Sequence, residues 1–193
     1  MKTKIAIAGL PKSNKTLLGT ALSIVTGIPL IQNRTIYEWY KIYNLPGLFS
    51  IDWKDMVLIA ASSFFERVKV ENCFDQFISD GTIFSELMFL KSNYSNREQK
   101  AQNIYSRMES VTGNYAVRQY DLVVHAQSSL NKGLSDDAYA ELYQKYNIPY
   151  KTYNTEILEN TLKEIVSDLN LSVTPLDIDC SINQARINLF QNI

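Results

Sequence analysis

A short apolar run, Ile5-Ala6-Ile7-Ala8, leads directly into Gly9-Leu10-Pro11-Lys12-Ser13-Asn14-Lys15-Thr16, where a helical pattern opens. This junction constrains the fold more than any other part of the chain. Residues 4–8 carry no charge after Lys4 and read as a buried strand. Residues 15–26 place Leu17, Leu18, Ala21, Leu22 and Val25 on one helical face, and Gly27 supplies a stop. A strand, a glycine-led loop and a helix beginning Lys-Thr is the context of the phosphate-binding pattern: Gly, four variable residues, Gly, Lys, then Ser or Thr. Every fixed position is present except the second glycine, where the chain has Asn14. Asn is among the better non-glycine residues in left-handed backbone, so the bend survives the exchange. The pattern assigns Gly9, Leu10, Pro11, Lys12, Ser13, Asn14, Lys15 and Thr16 to phosphate binding. The loop amides and the helix N-terminus face the anion, Lys15 reaches the terminal phosphates, and Thr16 offers its hydroxyl to Mg²⁺.

Beyond the loop, short strand patterns alternate with helical ones. Ile28-Pro29-Leu30-Ile31 reads as a second strand, and the proline near its start favours an edge. Residues 34–43 read as a helix with Tyr37, Trp39 and Tyr40, aromatics that pack a core more often than they stack on a base. Leu45-Pro46-Gly47 is a turn signal, and Asp52 caps a helix reaching about residue 69. Arg67, late in that helix, complements the dipole, while Arg34 follows the second strand and is placed to touch an acceptor. Phe74 to Ser79 reads as a third strand ending at Asp80-Gly81, followed by a helix capped by Thr82. A polar turn over 92–98 precedes a helix over 97–112, and Tyr120 to His125 is a fourth strand. A helix over 135–146, a strand over 150–153 and a helix over 155–168 complete the alternation. Residues 170–193 read either as a tail helix packed on the body or as a small appendage. The repeated strand–helix order implies a mostly parallel sheet covered on both faces.

With 193 residues, 46% apolar and 20% charged, the chain can bury a substantial core. A net charge of −1 disfavours a polybasic nucleic-acid surface, although a local basic patch is still compatible with one. Cys73 and Cys180 lack metal-ligand or CxxC spacing, which with the single histidine, His125, argues against a metal cluster or disulfide framework and for a reducing compartment. The apolar run near the N-terminus is too short for a signal-peptide core, and no stretch reaches transmembrane length. The expected setting is the cytoplasm, away from membranes.

Asp80 ends the third strand, and the C-terminal ends of parallel strands are where ligands bind in open α/β sheets. Around the loop, the segments IAIAGLPKSNKT, FISDGTIFSEL (77–87), YDLVVHAQ (120–127) and YQKYNIPYKTY (143–153) together resemble the P-loop kinase-like ATPases, in particular the group related to nicotinamide-riboside kinase domains and small nucleoside or nucleotide kinases. The resemblance covers about residues 3–168. It implies a P-loop NTPase-like three-layer α/β sandwich with a mostly parallel five-stranded sheet over residues 1–169, with 170–193 as a C-terminal extension. It also implies ATP and Mg²⁺ as cofactors, with Thr16 and Asp80 at the metal and Lys15, Asp80 and an arginine as the catalytic set. Such families usually close an arginine-bearing lid over the phosphates. Here the matching segment, QSSLNKGLSDDAY, has only Lys132, and no arginine lies between Arg118 and Arg186. Arg97, in the polar lead-in to a helix carrying Lys100, Arg107 and Arg118, is the candidate replacement. The leading expectation is ATP/Mg²⁺-dependent phosphoryl transfer to a small nucleoside, nucleotide or ribosyl-type acceptor. The alternatives are a non-catalytic nucleotide-binding regulatory module and an NTPase completed by a partner's arginine, with a homodimer among the candidate assemblies.

Overall fold

The computed structural model describes residues 3–9, 13–45, 52–91, 99–127, 134–170, 173 and 175–191. Five strands are present: β1 (Lys4–Gly9), β2 (Leu30–Gln32), β3 (Phe77–Asp80), β4 (Leu122–Gln127) and β5 (Tyr150–Asn154). The helices are α1 (Lys15–Thr26), α2 (Ile36–Tyr43), α3 (Trp53–Glu71), α4 (Ser85–Leu90), α5 (Gln99–Gln119), α6 (Leu134–Lys145), α7 (Leu158–Asp168) and α8 (Pro175–Gln191). The strands form one sheet in the order β2-β3-β1-β4-β5, and every pairing is parallel. All five therefore end on the same edge. β1 lies at the centre, with Ile7 opposite Asp80 and Gly9 opposite Ala126.

Side chains alternate across a sheet with period two, and that alternation sorts the core into two layers. Ala6, Ala8, Phe77 and Val123 face a cluster built from α2 to α6, including Trp39, Met56, Ile59, Leu87, Tyr105 and Tyr143. Ile5, Ile7, Ile78 and Val124 face Leu18, Ala21 and Leu22 of α1, Leu162 and Ile165 of α7, and Ile178, Ile182 and Ala185 of α8. Residues 175–191 are thus a helix packed on α1 and α7. No described helix is long and apolar enough to cross a membrane.

Local signals explain most element ends. Asp52 Oδ1 accepts from the amides of Lys54 (2.7 Å) and Asp55 (3.0 Å), capping α3 as its position predicts. Thr35 and Glu38 form a reciprocal capping box that starts α2. β2, with Pro29 before it, is an edge strand. Three expectations fail. α5 continues to Gln119, well past the expected end at residue 112. Thr82 does not cap α4: its hydroxyl is buried without a partner, and Phe84 takes the cap position with no side-chain bond. β3 starts at Phe77 rather than Phe74 because α3 runs two residues further than expected and its exit turn consumes residues 72–74, with the Cys73 and Phe74 amides bonded to Val70 and Glu71 carbonyls. The turn expected at Leu45-Pro46-Gly47 and the polar segment 92–98 fall wholly or mostly outside the described residues.

Candidate phosphate site

β1 ends between β3 and β4, so Gly9 at its tip sits between the tips of both. Gly9 has φ 144°, and a Cβ there would lie 2.4 Å from the Ala126 carbonyl oxygen and 2.5 Å from Ser13 Oγ. Only glycine satisfies both the backbone angle and the space. Ser13 is buried, and its hydroxyl has no partner among the described residues. A buried unsatisfied hydroxyl in a native fold calls for a reason, and a bound ligand is one.

Asn14 adopts φ 56°, ψ 17°, the left-handed conformation that the second glycine of the pattern would supply. Left-handed backbone costs an ordinary L-residue roughly 1–2 kcal/mol, and asparagine is one of the few that visits it routinely. Its side chain turns toward the β5–α7 turn, where Nδ2 donates to the Thr155 carbonyl at 3.3 Å. As the N-cap of α1, Asn14 accepts from the Leu18 amide at 2.8 Å, but its side chain makes no cap bond. The first amides of α1 are therefore not capped by that side chain, and the positive end of the helix dipole faces the loop. With no acidic residue in the first turn of α1, nothing there competes with an incoming anion.

Lys15 opens α1. Burial lowers its pKa, and the nearby charge of Asp80 acts in the opposite direction. The pleat explains their proximity: Asp80 shares a sheet face with Ile78, the α1 side, and it is level with Ile7 on β1. Thr16, one residue on, is half-buried in the first turn.

The turn holding Asp80 is fixed from both sides. Asn33 Nδ2 donates to Ser79 Oγ (3.1 Å) and to the Asp80 carbonyl (3.2 Å). From α3, Arg67 Nη1 donates to Ser79 Oγ (2.8 Å) and to the Gly81 carbonyl (2.9 Å). The Gly81 amide returns to the Ile7 carbonyl at 2.9 Å. Arg67 is 2% exposed and lies 3.9 Å from Glu71 Oε1. Glu71 accepts from the hydroxyls of Tyr115 (2.9 Å) and Tyr120 (3.0 Å), and burial raises its pKa against the opposing pull of Arg67. Burial likewise raises the pKa of Glu86 in α4, again opposed by Arg67. Arg67 is thus a buried organising charge and not the solvated helix-end cation its position suggests. The sequence signal was available: Met56, Ile59, Ala60, Ser63, Arg67 and Glu71 form one stripe at helical spacing, so the polar members lie on the core face.

The remaining candidates separate. Arg34 pairs with Glu66 at 2.5 Å and lies over the Trp39 ring. Trp39 and Tyr40 are core residues, while Tyr37 is exposed. Arg107 and Arg118 line clefts between α3 and α5 that share no residue with the loop. His125 is buried against Tyr139 and Tyr143, beside a cavity of about 120 Å³ that Gln127, Asp137, Tyr150 and Thr152 also line. Leu10, Pro11, Lys12, Arg97 and Lys132 lie outside the described residues. Among the described residues no group of three or more His, Cys, Asp or Glu is arranged to hold a metal, and Cys73 and Cys180 are both exposed and free.

No protein-family model and no curated protein sequence matches the chain. Solved structures do match. A deoxyadenosine kinase from M. mycoides with bound dATP is 19% identical with a TM-score of 0.65, covering 87% of this chain and 100% of its own. A thymidylate kinase from Candida albicans is 16% identical with a TM-score of 0.55, covering 88% and 92%. A Bacillus subtilis protein solved in complex with phosphorylated GDP is 16% identical with a TM-score of 0.51, covering 87% and 96%. The chain has the α/β P-loop fold, with an all-parallel five-stranded sheet, that these three proteins share.

Proposed function

We propose that the protein binds ATP with Mg²⁺ at residues 9–16 and transfers a phosphoryl group to a small nucleoside, nucleotide or ribosyl-type acceptor. The observation that carries this reading is the geometry at the two ends of the loop, Gly9 on one side and Ser13 to Lys15 on the other. A left-handed Asn14 precedes a helix N-terminus that its side chain leaves uncapped, with Lys15 beside Asp80. Two of the similarly folded proteins, a deoxyadenosine kinase and a thymidylate kinase, support it.

In this reading the loop amides and Lys15 hold the charge of the terminal phosphates, and they do so without reorganising during the reaction. The residues present fit Mg²⁺: a hydroxyl on Thr16 and a carboxylate on Asp80 are the sparse oxygen set that the ion accepts when phosphates and water fill its other positions. Bound there, Mg²⁺ would neutralise charge on the transferring group. Asp80 orients the acceptor hydroxyl or helps hold the ion, and the Arg67–Asn33 clamp fixes its backbone.

A second reading has its own support. Among the described residues, Arg107 and Arg118 lie in the α3–α5 clefts, Arg34 is ion-paired and Arg67 is buried. A chain that binds nucleotide without turning it over, or that takes an arginine from a partner, fits that distribution.

Calorimetry with ATP and Mg²⁺ tests the common premise. Lys15→Ala is expected to weaken binding by about 30-fold or more, the scale of a lost charge-assisted contact. Binding equal to wild type in that variant refutes the site. Turnover across a panel of nucleosides and nucleoside monophosphates then separates the kinase from the binding module.

A further inference from the structure

Thr155 lies in the turn between β5 and α7, 142 positions from the loop, and is fully buried. Its Oγ1 is within hydrogen-bond distance of two carbonyls, those of Ser13 (2.9 Å) and Gln127 (3.1 Å). A threonine hydroxyl has one proton to donate, so the two carbonyls share it. The Thr155 amide also donates to Gln127 (3.0 Å), and the Thr155 carbonyl accepts the side-chain amide of Asn14 (3.3 Å). The turn itself is fixed, since Asn154 Oδ1 accepts from the Glu156 amide at 3.0 Å. One residue thereby joins the β5–α7 turn to the tip of β4 and to Ser13 and Asn14 at the end of the phosphate loop.

We propose that Thr155 is a positioning residue for the phosphate loop and that Asn14 is matched to it. The inference rests on the nucleotide-binding reading above. In a planar trans peptide the carbonyl and the following N–H point in opposite directions. Holding the Ser13 carbonyl on Thr155 therefore aims the Asn14 N–H away from Thr155, the side on which the proposed phosphate would sit. The Asn14 side chain then ties the left-handed residue to the same turn. A glycine at position 14 would supply the angle but not the tether, so the departure from the pattern is a second anchor and not a loss. Thr155 touches no phosphate in this arrangement. It acts by fixing the direction of an amide that does.

The test measures affinity for ATP with Mg²⁺ by calorimetry on the full chain. Thr155→Val preserves shape and removes the donor, and it is expected to weaken binding about tenfold, as for one misdirected hydrogen bond. Thr155→Ser restores the hydroxyl and is expected to bind within about threefold of wild type. The melting temperature of ligand-free Thr155→Val falls by no more than the few degrees that one hydrogen bond represents. Asn14→Gly keeps the backbone angle and removes only the side-chain tether, so it gives a smaller loss, about threefold, and serves as the readout if Thr155→Val does not fold. Wild-type affinity in Thr155→Val or, where that variant does not fold, in Asn14→Gly overturns the proposal, as does equal weakening in Thr155→Val and Thr155→Ser. Lys15→Ala separates the two levels. If it weakens binding as expected while Thr155→Val binds ATP as the wild type does, only the positioning role falls. If it binds normally, the nucleotide site falls with it.

Discussion

Replacing Arg67 with methionine probes the charge that holds the Asp80 turn. Methionine keeps much of the length and all of the apolar stem, so the perturbation is electrostatic more than steric. The guanidinium, 2% exposed, gives up its bonds to Ser79 Oγ at 2.8 Å and the Gly81 carbonyl at 2.9 Å, and Glu71 loses the positive charge 3.9 Å away. Glu71 then has the hydroxyls of Ser79, Tyr115 and Tyr120, but no positive charge, to compensate a buried carboxylate. Removing one partner of a buried pair costs about 3–5 kcal/mol, because the other is left charged in a poor solvent. The lost bonds to Ser79 and Gly81 belong to the same network and do not simply add to that figure. Equilibrium urea unfolding at neutral pH measures the loss. Its pH dependence supplies a stricter check. Burial raises the folded-state pKa of Glu71 and Arg67 lowers it, so the variant raises it further. Between the unfolded and folded pKa values the native state then binds more protons than the unfolded state, and stability falls as pH rises through that window. The variant's deficit should therefore be larger at about pH 8 than at about pH 5. A loss below about 1 kcal/mol, or a deficit that does not change with pH, would refute the assignment of Arg67 as the compensating charge.

Three further outcomes follow from the same structure. Gly9→Ala places a Cβ 2.4 Å from the Ala126 carbonyl oxygen at φ 144°, so it loses the roughly 1–3 kcal/mol of a strained backbone plus the cost of the clash, read from urea midpoints. Asp52→Ala removes the acceptor for two α3 amides and costs about 1 kcal/mol with ATP affinity unchanged, checked by unfolding and calorimetry together. Lys15, its pKa held below 10.5 by burial, loses its proton earlier than a surface lysine, so ATP binding weakens as pH rises through that lowered value and takes up a proton above it. An affinity that stays flat up to the ordinary lysine range contradicts this.

The alternation of strands and helices and the placing of Asp80 at a strand tip were legible in the sequence because each rests on local rules. Apolar period, a glycine stop at Gly27, an edge proline at Pro29 and a cap at Asp52 all act within a few residues of themselves. Asn14 belongs to the same class: its tolerance for left-handed backbone is a property of the residue, and φ 56° is what the pattern required. What escaped depends on distant partners. Thr82 looked like a cap, but packing buries its hydroxyl and moves the helix start to Ser85. Arg67 looked like a helix-end charge because nothing nearby announces that Ser79 and Gly81 will take its guanidinium, or that Tyr115 and Tyr120 will bond its partner Glu71. Thr155 carries no local signal at all, since its partners lie at Ser13, Asn14 and Gln127.

The central place of β1 has a kinetic consequence. Its neighbours β3 and β4 are separated from it by roughly 70 and 115 residues of chain, and the Thr155–Ser13 contact closes a span of 142. Contacts of such long range are late and slow to form, because loop-closure entropy is lost before they contribute any stability. The phosphate loop takes its final shape only when almost the whole sheet has assembled. A ligand that grips it meets only the finished protein, so it lengthens the life of the native state by slowing unfolding and does little to hasten folding.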